Sequence, residues 1–500
     1  MSVSKLGPNG VIPTTNTKNL DYWQQYGDYV LMAMPYADQV LVEGRACTLR
    51  DADGKELLDL ASGMFCSVLG HNHPKFIQRI SKQTEQLLHS GTQFLSPAVL
   101  EASYKLAQVT PGNLRKSIFL STGTEANEFA FRLAKAYTGR TGIVGLSRGY
   151  YGTSLATKSC SSLFSHQLKD SLPTVSESFR LPITPQCTDC FTEADSPPCG
   201  LPCLQSVENW IGDWGNIAAV IVEPLLSAGG MLLPPAGYLK RLKEMTEHHG
   251  ALLIVDEAQT GFGRTGKWFA IEHHDVQPDI LSLSKSVGNG FPVAAVITTA
   301  EIADKVVDKG LWNLSSHQSD PVGAAAVSAV IDIVREENLV DRAREIGDYF
   351  IQRLRDLAAR QRSMKKVRGQ GLMIGFDLLS GENPAETVNR FMYACRRRGV
   401  HLTYGYGSVN IRIIPPLIIT RSEIDFAIEV IDQSLTEVLA EGNSGREILP
   451  SNPYTRRLLE QRPWQRLLKY WWRSSPEEWL EKGRKVIRKS QHPDSDGRAK

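Results

Sequence analysis

Six short apolar runs punctuate the middle of the chain: Ser117-Ile-Phe-Leu120, Gly142-Ile-Val-Gly145, Ile217 to Val222, Ala251 to Val255, Ile280-Leu-Ser-Leu283 and Val293 to Ile297. Their apolar positions are consecutive, as in strands buried on both faces, and amphipathic helical stretches separate them. The pattern predicts an α/β protein whose mainly parallel sheet lies in a large domain over 74–325, with helices on both faces. Such a sheet opens its crevice outside the carboxyl ends of the strands. Residues 1–73 read as an N-terminal arm and small-sheet segment, with Val40-Leu-Val-Glu43 before a turn at Asp51-Ala-Asp-Gly54. Beyond Asp320-Pro321 one long helical pattern runs to about Ala358, followed by a single strand with turn glycines over Val367 to Asp377. Helix and strand then alternate to about Leu439, which predicts a smaller α+β domain over 326–440 that also takes in the N-terminal segment.

The remaining stretch, 441–500, is a basic tail with Trp464, Trp471, Trp472 and Trp479 among its Lys and Arg. From Ser444 onward it carries 14 Lys plus Arg against 7 Asp plus Glu. It reads as one or two amphipathic helices packed on the enzyme body, with membrane-surface or partner docking as the alternative. Over the full 500 residues, charge is balanced at 56 basic to 54 acidic, so no nucleic-acid partner is expected. No apolar run approaches the roughly 20 residues of a membrane helix, and no leader pattern opens the sequence; a cytoplasmic protein is expected. Cys187, Cys190, Cys199 and Cys203 have spacings open to structural zinc, but without neighbouring histidines they read as thiols in an irregular loop, and no metal ligands are assigned.

Two polar groups follow two of the buried runs directly: Asp256, opening Asp256-Glu-Ala-Gln-Thr-Gly-Phe-Gly-Arg-Thr-Gly266, and Lys285. A carboxylate and an amine facing one crevice suit an aldehyde cofactor with a basic ring nitrogen. Lys285, desolvated enough to lose its proton, would form a Schiff base and then shuttle a proton, while Asp256 would keep the ring nitrogen protonated. Taken singly, the first is an ordinary cap and the second ordinary surface; the pairing is what carries chemistry. Ser121-Thr-Gly-Thr-Glu-Ala-Asn127 lies between a strand and a helix, where Gly123 admits close backbone approach and Thr124 joins the helix N-terminal amides around a dianion. A plain helix cap uses the same residues.

The ordered set Asp51-Ala-Asp-Gly-Lys, Gly70-His-Asn-His-Pro, Ser121 to Asn127, Glu223-Pro, Asp256-Glu-Ala-Gln-Thr-Gly and Leu283-Ser-Lys-Ser resembles the class III aminotransferases from about residue 20 to 440. Asp256 to Gly266 and Ser316-His-Gln-Ser-Asp-Pro321 look most like the 2,2-dialkylglycine decarboxylase branch. The resemblance implies a fold-type I architecture, pyridoxal 5'-phosphate, and a homodimer with interfacial active sites. It puts Gly123 and Thr124 on the phosphate, Tyr150 on the ring face and Gln259 on the ring oxygen. Ser316 falls where a hydroxyl reaches the partner's phosphate, and Arg412 where an arginine grips the substrate α-carboxylate. A structural ion pair is the other use of Arg412. Tyr150-Tyr-Gly152 departs from the family's usual histidine at its second position.

Two further departures bear on the reaction. Met64 and Ala228 stand where the decarboxylase branch carries a glutamine and a serine beside the leaving carboxylate. Losing both hydrogen-bonding groups favours α-proton removal over decarboxylation. Thr92, Ser316 and Asp320 occupy that branch's alkali-metal side-chain positions, so a monovalent cation is a further expectation, with a simple cap as the other reading of Asp320. The expected activity is transfer of an amino group from an amino acid or amine to a 2-oxo acid such as pyruvate. Decarboxylation-dependent transamination, racemisation or elimination, and a non-catalytic dimeric scaffold are the alternatives.

Overall fold

Alternate residues of the central strands enter two different apolar clusters, which is why these runs show no polar face. Val220, Val222, Leu253, Val255, Leu281 and Leu283 pack into one cluster, and Ala219, Ile221, Leu252, Ile254 and Ile280 into the other. The first is covered by helices Pro97–Val109, Tyr238–His248 and Pro321–Glu336, the second by helix Gly123–Thr138. The structure is a computed structural model and describes residues 17–33, 36–146, 148–161, 178–181, 202–379, 384–404 and 409–440. Cys187, Cys190, Cys199, the Cys203 side chain and the Trp-rich tail lie outside the described residues.

In chain order the strands are β1 Leu41–Arg45, β2 Thr48–Asp51, β3 Glu56–Asp59, β4 Leu114–Leu120, β5 Gly142–Leu146, β6 Ser178–Leu181, β7 Ile217–Val222, β8 Leu252–Asp256, β9 Ile280–Leu283, β10 Ala294–Thr299, β11 Met364–Gln370, β12 Met373–Leu378, β13 Val400–His401, β14 Thr403–Tyr404 and β15 Asn410–Ile413. The large sheet has the order β4-β10-β9-β8-β7-β5-β6. Only β10 runs antiparallel, against β4 and β9, so the sheet is mixed but mainly parallel, as expected. Two four-stranded sheets, β1-β2-β3-β13 and β11-β12-β15-β14, belong to the smaller part of this two-domain α/β fold. In the first of them Val400 pairs with Leu58, which joins the N-terminal segment to the C-terminal part.

Two elements differ from expectation. The long helical pattern after Pro321 is two helices, Pro321–Glu336 and Leu339–Arg360, broken at Asn338, whose φ of 50° leaves the helical region. The single strand around Val367 is a hairpin of β11 and β12 that turns at Gly371. A side chain there would come within 2.6 Å of the Thr265 backbone, so the glycine lets the hairpin close on the Asp256 to Gly266 turn. No helix among the described residues is long and apolar enough to cross a membrane.

Candidate active site

Asp256 ends β8 and is 4% exposed. Its Oδ1 accepts from the Ala258 N–H at 2.9 Å and its Oδ2 from Asn127 Nδ2 at 2.8 Å. Burial pushes the carboxyl above its ordinary range; the Lys285 charge and the two hydrogen bonds pull it back. Asp256 pairs with Ser282 across β8 and β9, and Lys285 follows three residues later. Thus the carboxylate and the amine do sit at neighbouring strand ends. Lys285 is half-buried, less withdrawn from water than expected. Its φ of 51° is left-handed, a conformation that costs an L-residue about 1–2 kcal/mol. Neighbouring contacts hold the turn: Ser286 Oγ donates to Phe65 O at 3.5 Å, and Asn289 Oδ1 accepts from the Leu69 N–H at 2.8 Å.

Helix Gly123–Thr138 starts against this turn. A Cβ on Gly123 would lie 3.1 Å from the Ser284 side chain, so the glycine keeps the helix N-terminus open beside Lys285. Thr122 caps the helix by accepting from the Glu125 N–H at 3.2 Å, while Thr124 Oγ1 accepts from the Thr153 N–H at 3.2 Å. Gly152 follows Tyr150-Tyr151 with φ 144° and has no room for a side chain, since a Cβ would meet Thr124 Oγ1 at 2.7 Å. Tyr150 is half-buried, and its N–H donates to Glu223 Oε1 at 2.8 Å. Gln259, also buried, accepts at Oε1 from Ser227 Oγ at 2.8 Å. All of these residues lie at or beyond the carboxyl ends of the parallel strands β4, β5, β7, β8 and β9, at one end of the large sheet.

Arg412, on β15, is buried with its guanidinium 4.7 Å from the Phe65 ring centre, and it donates to Tyr404 O at 3.0 Å. Arg264, in the turn after Asp256, is fully buried and donates to Pro415 O, three residues beyond Arg412. Burial brings the pKa of Arg264 down to about 9. This contact ties the Asp256 turn to the strand of Arg412. Met64 is 55% exposed and Ala228 partly buried. Ser316 and Thr92 are exposed. Asp320 takes the N-cap position of helix Pro321–Glu336 but makes no capping bond; its Oδ1 accepts from His89 Nδ1 at 2.5 Å and its Oδ2 from His317 Nδ1 at 2.6 Å.

Sequence reasoning had given Asn127 no task beyond the phosphate motif, and Glu223 none at all. Asn127 lies one helical turn past Gly123, and Nδ2 also donates to Tyr151 O at 2.8 Å, so it fixes the tyrosine loop and Asp256 together. The spacing from Gly123 was the available signal.

The two-domain α/β fold, with its mainly parallel large sheet, is that of the fold-type I pyridoxal phosphate-dependent transferases. The profile described as aminotransferase class-III matches residues 32–435, and the chain belongs to that family of pyridoxal phosphate-dependent aminotransferases, of fold type I. Human alanine–glyoxylate aminotransferase 2, mitochondrial, is 34% identical over 435 residues, 80% of this chain and 82% of that protein. A leucine/methionine racemase from Thermococcus litoralis is 32% identical over 424 residues, 83% and 94% of the two chains. A crystal structure of a Bacillus anthracis aminotransferase superposes with a TM-score of 0.78 at 26% identity, covering 85% of this chain and all of that one. Pyridoxal phosphate fits the described residues on two counts: a buried carboxylate in the field of Lys285, and a helix N-terminus that a Cβ at position 123 would crowd.

Proposed function

We propose that the enzyme moves an amino group from an amino acid or amine to a 2-oxo acid such as pyruvate. The observation that carries this reading is Asp256, buried and doubly hydrogen-bonded beside the strand end that bears Lys285. When bound, pyridoxal phosphate supplies an aldehyde for the amino group and a ring that withdraws electrons from the donor's α-carbon. Lys285 anchors the cofactor and moves a proton at that α-carbon through Nζ. Asp256 holds the proton on the ring nitrogen, and Asn127 keeps its Oδ2 aimed. Gly123 and Thr124 cradle the phosphate, Tyr150 lies against the ring, and Gln259, oriented by Ser227, serves the ring oxygen. Arg412 receives the substrate carboxylate, with Phe65 beneath its guanidinium.

The kinship with the 2,2-dialkylglycine decarboxylase branch rests on Asp256 to Gly266 and Ser316 to Pro321. Met64 and Ala228 argue that the chemistry stops at proton removal. A homodimer completes the site, with Ser316 serving the partner's phosphate. It is supported by the exposed apolar side chains Leu88, Phe94, Leu95, Tyr104, Trp312 and Leu314. Thr92, Ser316 and Asp320 supply oxygens for a monovalent cation, and its binding turns at least one imidazole away from Asp320.

A second reading, racemisation, is favoured by the Thermococcus racemase among the relatives. One experiment separates the readings. The loaded enzyme is mixed with a panel of amino acids and amines while visible absorbance, carbon dioxide and the donor's optical rotation are followed. Bleaching that pyruvate restores, without carbon dioxide, is the expected result. Carbon dioxide release selects decarboxylation, and loss of rotation without an acceptor selects the racemase.

A further inference from the structure

Glu223 has no task in the reaction just described, yet it is the immediate neighbour of Asp256. Val222 pairs with Val255 in the parallel β7–β8 ladder, so the residues that follow, Glu223 just past β7 and Asp256 at the end of β8, emerge side by side at the same sheet end. Both are buried, Glu223 at 5% exposure and Asp256 at 4%. Two carboxyl groups so placed, away from water, do not both ionise while one amine faces them. Asp256 has the better claim to the charge, since a side-chain amide and a backbone N–H both donate to it. Glu223 accepts from the backbone amides of Tyr150, at 2.8 Å, and Ser227. A neutral carboxyl still accepts from those amides, since protonation leaves acceptor capacity on its oxygens.

We propose that Glu223 is a positioning residue that works in its protonated form: its carboxyl pins the Tyr150 backbone and stays neutral, so that Asp256 is the single anion facing Lys285. The inference rests on the functional reading above and deepens it. The groups facing Glu223 are Asp256 on β8, Lys285 beyond β9 and the Tyr151 phenol on the loop after β5. Burial, then the Asp256 charge, lifts the Glu223 carboxyl from 4.5 to about 8, with the Tyr150 and Ser227 amides and Lys285 acting against this. At neutral pH the proton therefore stays on Glu223.

Between 4.5 and about 8 the folded chain keeps a proton that the unfolded chain has lost, so stability falls as pH rises through that window and levels off above it. Glu223→Gln keeps an acceptor oxygen and cannot ionise. The experiment compares melting temperatures of cofactor-free wild type and Glu223→Gln from pH 5 to 9, and cofactor affinity of wild type, Glu223→Gln and Glu223→Ala at pH 7. Asp256 titrates in both proteins, so the difference between the melting curves is the readout. We expect the glutamine variant to gain on wild type steadily from pH 5 to about 8 and to hold a constant lead above. We also expect the alanine variant to bind cofactor about tenfold more weakly than the glutamine variant, the size of one lost hydrogen bond. Parallel melting curves overturn the protonated state, and equal affinity of the two variants overturns the clamp. If the alanine variant does not fold, the melting curves of Glu223→Gln decide. A wild type that binds cofactor but transfers no amino group sinks the transaminase reading alone, because the melting comparison needs no substrate.

Discussion

Replacing Asn127 with alanine tests the heart of the site without touching Lys285 or Asp256. The amide nitrogen of Asn127 donates at 2.8 Å to Asp256 Oδ2 and at 2.8 Å to Tyr151 O. Alanine leaves Asp256 with the Ala258 N–H and the charge of Lys285, in a place too buried for water to substitute freely. A hydrogen bond to a buried charged group is worth about 1.5–3 kcal/mol. If that stabilisation is felt when the ring nitrogen binds, cofactor affinity falls roughly 10- to 150-fold at pH 7. The Asn127 bond also holds the Asp256 carboxyl down against burial, so its removal lets the carboxyl protonate at a higher pH. The ionised form is lost as pH falls, and the acid limb of cofactor binding should therefore move to higher pH in the variant. Equilibrium dialysis of pyridoxal phosphate between pH 5 and 9, read by visible absorbance, measures both effects. An affinity within about twofold of wild type, with the acid limb in place, would refute the idea that Asn127 sustains the Asp256 charge.

Lys285→Ala should lower amino transfer by at least about 10³-fold, measured by single-turnover absorbance with excess donor; added methylamine restoring part of the rate would identify the missing group as the amine. Met64→Gln with Ala228→Ser should release carbon dioxide from a dialkylglycine faster than wild type, and trapping that finds no gain would count against the reading of those positions. Asp377→Ala should destabilise the fold by about 3–5 kcal/mol in urea melts, because Arg368, 6% exposed and 2.7 Å from Asp377, is left as a buried charge without its carboxylate. Phe94→Asp puts a charge on a side chain that is 69% exposed in the single chain; sedimentation should show the proposed dimer weakened, whereas a dimer that forms unchanged would move the interface elsewhere.

What could be read from the chain depended on how local each determinant is. Burial on both faces leaves a local mark, so the strands ending at Asp256 and Leu283 were visible as consecutive apolar residues, and the polar groups just past them marked the crevice. The Gly123 helix start was equally local, because capping and phosphate binding both act within one turn. Strand register is not local. Nothing in Glu223-Pro224 or Asp256-Glu257 announces that these carboxyl groups share a sheet end; the pairing of Val222 with Val255, 33 positions away, sets it. The breaks at Asn338 and Gly371 escaped for a related reason. Asparagine inside a periodic apolar pattern does not by itself end a helix, and Gly371 turns where it does because the hairpin has to close against Thr265. Residue types at strand ends therefore tell which chemistry is within reach, whereas the register between strands decides which side chains meet there.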